Sequence, residues 1–144
     1  MIVSAILKGK GNAVVTARPT ESLQAISKLL VKHRIGAVIV CEPAGPPLGI
    51  LSERDIVNAV AAFGAPGLDR PASESMTRDL LTCEPGNSVD ELMTIMTNSR
   101  VRHLPVVEQG QLLGIVSIGD VVKCKLDEAS AEVGLLRDYV MAGR

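Results

Sequence analysis

The stretch LGILSERDIV at residues 48–57 returns later in the chain as LGIVSIGDVV at residues 113–122. Its Leu, Gly, Ile, Ser and Asp positions are unchanged, at an offset of 113 minus 48, or 65. Upstream, residues 14–40 match residues 80–107, with Pro19 paired to Pro85 at an offset of 85 minus 19, or 66. Self-similarity at a fixed period indicates a repeated structural unit. The chain therefore holds two copies of one unit, which we call copy one and copy two.

Each copy is predicted to have the order β-α-β-β-α. Apolar residues at spacings of three and four, as at Leu23, Ile26 and Leu30, predict an amphipathic helix that copy two repeats. The runs IGAVIVC and VRHLPVV, and after them LGIL and LLGIV, predict buried strands because they are short and bounded by turn residues. A helix that begins at Ser52 or Ser117 ends each copy.

The size of the unit predicts how the copies are arranged. A unit of roughly 50 residues buries only a marginal core by itself. We therefore expect an α/β (α+β) fold in which the two copies pack about a pseudo-two-fold axis, with a C-terminal helix added. The predicted boundaries are residues 5–62 for the first domain, 63–75 for a linker that contains Gly and Pro, 76–125 for the second domain and 126–144 for the helical tail.

The tail is predicted to be a helix with one apolar face. Its apolar residues stand at alternating spacings of three and four: Leu126, Ala129, Val133, Leu136 and Val140. Such a face packs against another surface. Two alternatives remain for the surface that it contacts: the body of the same chain, or a second copy of the chain in a homodimer.

Composition excludes several classes of protein. With 144 residues, of which 47% are hydrophobic, the chain is not disordered. Phe63 and Tyr139 are its only aromatic residues, too few for the stacking platforms that bind single-stranded nucleic acid. Its 15 Lys and Arg and 16 Asp and Glu give a net charge of −1, without the positive field that binds a phosphate backbone. We expect no nucleic-acid partner.

The opening segment and the cysteines indicate the compartment. The apolar opening MIVSAIL ends after seven residues at Lys8, too short for a membrane span and unlike a signal peptide. Cys41, Cys83 and Cys124 are widely spaced and form no CxxC motif, so neither a disulfide framework nor a zinc cluster is indicated. We expect a cytoplasmic protein with no metal site and no membrane partner.

The repeated turn has a structural interpretation and a functional one. A Ser with an acid three residues later is typical of a capping box, which only starts a helix. Both turns, however, follow a Gly at the end of a buried strand, where a ligand can approach closely. A helix N-terminus suits phosphate, a carboxylate accepts hydrogen bonds from two ribose hydroxyls, and Arg54 or Lys123 adds a cation. Both interpretations, a helix start and a nucleotide site, stay open.

In its paired GhhSxxD turns (h is an apolar residue), its IGAVIV and RHLPVV strands and its LKGK start, the chain resembles a known family. It is similar, over about residues 5–140, to a tandem pair of cystathionine-β-synthase (CBS) domains, a Bateman module of the small stand-alone bacterial type. The resemblance implies that AMP, ADP, ATP or NAD(H) lies in the cleft between the copies. It also implies that each Asp holds the ribose, that the Ser and the helix N-terminus face phosphate, and that aliphatic strand residues flank the base.

The resemblance implies two sites. The first contains Ile115, Ser117, Gly119 and Asp120, with Ile35, Gly36 and Ala37 from copy one and Lys8 near the entering strand. The second contains Ile50, Ser52, Arg54 and Asp55, with Val101, Arg102 and His103 from copy two and Thr77 at its entrance. The side chain of His103 is expected to join the site closed by Asp120, which would then bind a phosphate-rich ligand with the higher affinity. The alternative is a His103 that is only hydrogen-bonded at a strand end.

No arrangement of residues indicates catalysis, since neither His has a Ser or Cys partner at a recognisable spacing. We expect a binder and not an enzyme, with no catalytic cofactor. The favoured function is a regulatory sensor, in which an adenine nucleotide or NAD(H) biases the packing of the copies or of a homodimer, with a downstream target that the sequence does not specify. The alternatives are a constitutive dimerisation or docking module with no physiological ligand, and a hydrolase that acts on bound nucleotide.

Overall fold

The two copies form a mixed α+β fold with helices around two small sheets, as predicted. The computed structural model describes residues 1–11 and 14–142. Helix α1 (Val3–Lys10) comes first, and copy one then consists of β1 (Thr16–Ala17), α2 (Leu23–His33), β2 (Ala37–Val40), β3 (Gly49–Ser52) and α3 (Glu53–Phe63). A 3-10 helix (Ala65–Asp69) and α4 (Ala72–Ser75) follow, and copy two consists of α5 (Val89–Ser99), β4 (His103–Glu108), β5 (Gln111–Ser117) and α6 (Ile118–Ala142).

The cores of the two copies use equivalent positions. In copy one, the core lies against the inner face of the three-stranded sheet. It contains three fully buried residues: Leu23, Ile26 and Leu51. Their counterparts in copy two, at the offsets found in the sequence, are buried in a second cluster: Val89, Leu92 and Val116. The repeated apolar pattern therefore encodes two similar hydrophobic cores. Full burial of one aliphatic side chain stabilises the folded state by roughly 1.5–3 kcal/mol, so each core contributes to the stability of its copy.

The sheets differ in one strand. In copy one, β1 pairs in parallel with β2, and the backbone N–H of Ile39 donates to the carbonyl of Val15. The residue equivalent to Ile39 in copy two is Pro105, which has no backbone N–H to donate. There, Cys83 makes a single parallel bridge with Val106, and the described part of copy two has no counterpart of β1. The predicted first strand of copy two was therefore wrong.

Helix α1 contains residues 5–10, which were predicted to belong to the first domain. Its residues Val3 and Leu7 are buried in the core of copy two, although copy one follows it directly along the chain. A Cβ atom on Gly114 of β5 would lie 2.6 Å from a methyl carbon of Leu7, so only glycine lets the helix pack this closely. The polar face of α1 is thereby held beside the turn at the end of β5.

Helix α6 contains the second repeated turn and the predicted tail in one unbroken element of 25 residues. Val121 and Cys124, near its start, are buried. Beyond them, Leu126 and Leu136 are 62% and 63% exposed, so the described residues do not cover the apolar face. Packing of the tail on the body of its own chain, one of the two predicted alternatives, is therefore wrong. In the described part of the chain, no helix combines the length and apolar content needed to cross a bilayer.

Candidate functional site

The two repeated turns have the predicted local structure. At the end of β3, Oδ2 of Asp55 accepts hydrogen bonds from the backbone N–H of Ser52 at 2.8 Å and from its hydroxyl at 3.1 Å. At the end of β5, Oδ2 of Asp120 accepts from the backbone N–H of Ser117 at 2.9 Å, and the N–H of Asp120 donates to the Ser117 hydroxyl at 3.2 Å. Both carboxylates are thus held in place by the turns that precede them.

A cavity of about 610 Å³ lies between the copies on the Asp55 side. All eight residues assigned to the second site line it: Ile50, Ser52, Arg54, Asp55, Thr77, Val101, Arg102 and His103. Four more residues complete the wall: Gly36, Glu53, Val57 and Arg100. The structure therefore brings this predicted set together, and the contact of each residue with a ligand stays a prediction.

Backbone hydrogen bonds hold Thr77 at the wall of the cavity. Its N–H donates to the carbonyl of Ile50 at 2.9 Å and its carbonyl accepts from the N–H of Ile50 at 3.0 Å, so residue 77 lies beside β3. A Cβ atom on Gly49 would lie 2.7 Å from Sδ of Met76 and 2.9 Å from the carbonyl oxygen of Thr77. Gly49, which precedes the repeated turn, thus allows the segment that contains Thr77 to pack closely against β3.

His103 lies on the wall of the Asp55 cavity, beside copy one. A Cβ atom built on Gly36 would lie 3.6 Å from two atoms of the His103 ring and 2.8 Å from Oε1 of Glu53. Burial lowers the pKa of His103 below its ordinary value of 6.5, and the nearby Glu53 carboxylate offsets only part of that effect. The ring is therefore neutral at pH 7. The charges of Lys10 and Asp120 also act on this pKa, so the ring lies near both turns, and the expectation that it joins the Asp120 site stays a prediction.

The Asp120 turn is occupied by a side chain of the protein itself. The Nζ atom of Lys10 lies 2.6 Å from Oδ2 of Asp120 and 2.9 Å from the carbonyl oxygen of Ile115. Burial alone would raise the pKa of Asp120, but the hydrogen bonds from Lys10 and Ser117 outweigh it and hold the pKa below its ordinary value of 3.8. The Oδ2 atom of Asp120 and the carbonyl oxygen of Ile115 are therefore already engaged by an ammonium group.

Two assignments to the first site, Lys8 and Gly36, are corrected by the structure. Lys8 is exposed on α1, and the lysine that contacts the turn is Lys10. Gly36 lines the Asp55 cavity instead. Ala37 is only 5% exposed, and it lies outside the core cluster that contains Val38 and Val40 of the same strand, so its place in a site stays a prediction. Ile35 packs against the core of copy one. The four residues from copy two lie at the end of β5 and the start of α6, as predicted: Ile115, Ser117, Gly119 and Asp120.

Sequence reasoning missed Glu53 and Arg100. Arg100 ends α5 in a left-handed conformation with φ of 54°, so it also has a role as the helix cap. The signal for its second role was its position two residues before Arg102 on the edge that faces copy one. Glu53 stands inside the SERD turn, where its side chain turns back toward Gly36.

Across residues 1–11 and 14–142, His, Cys, Asp and Glu side chains form no group of three or more that is arranged to hold a metal ion. Burial raises the pKa of the Cys83 thiol to about 11, so it is protonated at neutral pH and is a poor nucleophile.

Comparison with known proteins identifies the family. A model described as "CBS domain" matches residues 11–62 and 72–127, once for each copy. The chain belongs to the CBS-domain family. Its two copies are a pair of CBS domains, and the cavity lies between them.

Solved structures of CBS-domain proteins resemble the chain over most of its length. The CBS-domain-containing protein ATU1752 from Agrobacterium tumefaciens is 46% identical with a TM-score of 0.84, over 87% of this chain and 99% of that one. The CBS domain pair of protein MJ0100, in complex with 5′-methylthioadenosine and S-adenosyl-L-methionine, is 26% identical with a TM-score of 0.80, over 89% and 98%. A hexameric CBS-CP12 protein from bloom-forming cyanobacteria is 30% identical with a TM-score of 0.74, over 85% and 66%.

Proposed function

We propose that this CBS pair is a regulatory module that binds an adenine nucleotide (AMP, ADP, ATP or NAD(H)) in the Asp55 cavity. The observation that carries the proposal is a held carboxylate at the edge of a cavity of about 610 Å³ with walls from both CBS domains. Cavities of this size are typical of small-molecule sites. Further support is that both ligands of the related MJ0100 pair contain adenosine.

Asp55 is suited to a ribose. Its Oδ2 atom is held by the N–H and hydroxyl of Ser52, and Oδ1 has no hydrogen-bond partner among the described residues. A carboxylate oxygen with free lone pairs accepts hydrogen bonds from adjacent hydroxyls. Ile50, Val57 and Val101 supply apolar wall for the base, and the N-terminus of α3 and its Arg54 are suited to phosphate.

A ligand in this cavity would touch both CBS domains, which is the basis for regulation. Binding shifts the arrangement of the domains only to the extent that one arrangement binds the ligand better than another. The walls join the turn of the first domain to the strand edge with Arg102 and His103 in the second. The polar groups of the wall serve recognition, and we propose no reaction of the bound nucleotide.

One ligand is expected per chain. The carboxylate of Asp120 already holds Lys10, whereas Asp55 has no cation as a partner in the described structure. To fill the Asp120 side, a nucleotide would first have to displace a charge-assisted hydrogen bond of 2.6 Å. The Asp55 cavity is therefore the primary site in this proposal.

We also propose that the protein is a homodimer built on α3 and α6. Val57 of α3 and Val122 of α6, at the offset of 65, are both exposed although they occupy equivalent positions in the two CBS domains. The exposed apolar face of α6 continues through Leu126, Val133 and Leu136. A self-complementary patch of this kind is typical of a two-fold dimer, and the related CBS-CP12 protein is an oligomer.

Calorimetric titration of the full chain with adenosine, AMP, ADP, ATP, NAD+ and NADH tests the ligand proposal. We expect binding of at least one of them at a single site. Asp55→Asn should abolish it, because the single amide oxygen of Asn cannot accept from Ser52 and from the ribose hydroxyls at once, as the two oxygens of the carboxylate can. Asp120→Asn, the equivalent change in the second CBS domain, is the matched control and should leave it in place. Silence of the wild-type protein with all six compounds at millimolar concentration would overturn the proposal in favour of a docking module without a ligand.

A further inference from the structure

Three arginines line the Asp55 cavity: Arg54, Arg100 and Arg102. All three are exposed, and none of them takes part in an ion pair with the described residues. Elsewhere in the chain, Arg70 pairs with Glu74 and packs on the ring of Phe63. The guanidinium groups of the cavity therefore face water, with their hydrogen-bond donors directed to no carboxylate of the described chain.

The fold does not require these arginines. At the offset of 66, Arg102 corresponds to Gly36, and at the offset of 65, Arg54 corresponds to Gly119. The backbone nevertheless runs in the same way at both places, since the carbonyls of Gly36 and Arg102 each accept from the first residue of the following helix, at 3.0 and 2.8 Å. Two of the three cations are thus specific to the Asp55 side and not a consequence of the repeat.

Arg100 has a counterpart that separates its two roles. Arg34 ends α2 as Arg100 ends α5, with φ of 53° and 54°, so both serve as left-handed helix caps. Only Arg100 lies on the wall of the cavity. A comparison of the same substitution at these two positions therefore distinguishes an effect on the ligand from an effect on the helix cap.

We infer that the Asp55 cavity selects a ligand with two or more linked phosphates, such as ADP, ATP or a dinucleotide, over a nucleoside monophosphate. The inference rests on the proposed function and names the ligand class of that site. A guanidinium group binds phosphate through two parallel N–H donors. A nucleoside monophosphate brings only about two negative charges to these three guanidinium groups. A second or third linked phosphate adds negative charge, and it extends the anionic chain so that arginines on different elements can each pair with it.

The other charges of the cavity do not neutralise this cluster. Asp55 is turned to Ser52, and Glu53 lies beside Gly36 and His103. The cation excess at the strand edge of copy two therefore remains for an anionic ligand. Its attraction for a polyphosphate chain grows with the number of phosphates and weakens with added salt.

Titration at fixed ionic strength with adenosine, AMP, ADP, ATP and inorganic tripolyphosphate tests the inference. We expect ADP and ATP to bind at least about tenfold more tightly than AMP, because each further charge-assisted hydrogen bond is worth about a factor of ten or more. Arg102→Gln and Arg54→Gln should each weaken ATP binding by about tenfold and AMP binding by much less. Arg100→Gln should also weaken ATP binding, whereas Arg34→Gln should not. An unchanged unfolding temperature in each variant would show that the fold is intact.

The outcomes separate the inference from the proposed function. Equal affinity of the wild-type protein for AMP and ATP overturns the inference and leaves an adenine-nucleotide site in place. Binding of tripolyphosphate, with no gain in affinity from adenosine in ATP, supports the phosphate cluster and overturns the adenine site. Equal loss of ATP binding in Arg34→Gln and Arg100→Gln overturns the assignment of Arg100 to the ligand.

Discussion

The ammonium group of Lys10 and the carboxylate of Asp120 are 2.6 Å apart, although 110 positions separate the two residues in the chain. Helix α1 makes this contact possible, because its buried residues Val3 and Leu7 fix it to the core of the second CBS domain. The Asp55 turn, which has the same sequence pattern, receives no such cation in the described structure. One ion pair thereby makes two similar turns different.

Removal of the Lys10 side chain should make the Asp120 turn accessible to a ligand. We expect wild-type protein to bind one AMP per chain and Lys10→Ala to show a second binding event, because the carboxylate of Asp120 and the carbonyl of Ile115 lose their internal partner. The stoichiometry from calorimetry measures this. Lys8→Ala, on the exposed side of the same helix, is the control and should keep a single event. If Lys10→Ala also bound one AMP, the lysine would not be what closes that turn.

The same ion pair should give a pH-dependent stability. The pKa of Asp120 is held below its ordinary value of 3.8 by Lys10 and Ser117, against the effect of burial. A carboxylate with a lowered pKa in the folded state stabilises the fold above its unfolded pKa, and the contribution is lost as the pH falls through the folded pKa.

Urea unfolding of wild-type and Lys10→Met protein at two pH values measures this contribution. Because the pair is partly exposed, we expect the wild-type protein to be more stable by no more than about 1 kcal/mol at neutral pH. The difference should shrink as the pH falls below 3.8, the ordinary pKa of the carboxyl group, and should vanish once Asp120 is protonated in the folded state as well. Lys8→Met should show no such pH dependence, and a difference that persisted at acid pH would point to lost packing of the lysine side chain instead.

Gly49 should not tolerate a side chain. An added Cβ atom would lie 2.7 Å from Sδ of Met76 and 2.9 Å from the carbonyl oxygen of Thr77, too close for any real contact. We expect Gly49→Ala to lower the free energy of unfolding by about 1–3 kcal/mol and to weaken ligand binding by displacing Thr77. At Gly86 an added Cβ atom meets nothing within 4 Å, so Gly86→Ala is the control. Equal stability of the two variants in thermal unfolding would contradict the close approach.

The apolar face of α6 should hold two copies together. Leu136 is 63% exposed in the single chain, and a charge placed there would be buried without a partner in a dimer. We expect Leu136→Glu to shift the protein from dimer to monomer in sedimentation equilibrium. Ala131→Glu, which adds the same charge at an exposed position on the opposite side of the helix, should remain dimeric. A wild-type protein that sediments as a monomer would refute the dimer.

Much of the site was predictable because it is local and repeated. The Ser52–Asp55 and Ser117–Asp120 turns follow from a four-residue pattern, and the repeat itself marks which residues belong to equivalent elements. All eight residues assigned to the Asp55 side line the cavity, since their positions follow from the order of elements within each CBS domain. Arg100 was missed because its pattern is already explained by a helix cap, and a single role conceals a second one.

The sequence by itself determined the two CBS domains, their cores and the two turns, because periodic burial and capping depend on residues a few positions apart. Tertiary structure alone decided that α1 packs on the second domain, that Lys10 reaches Asp120, that Ala37 is buried and that the face of α6 is exposed. These features depend on contacts between segments far apart in the chain, and no local pattern of residue types records them. Which of two similar turns is left open to a ligand is therefore a property of the packing.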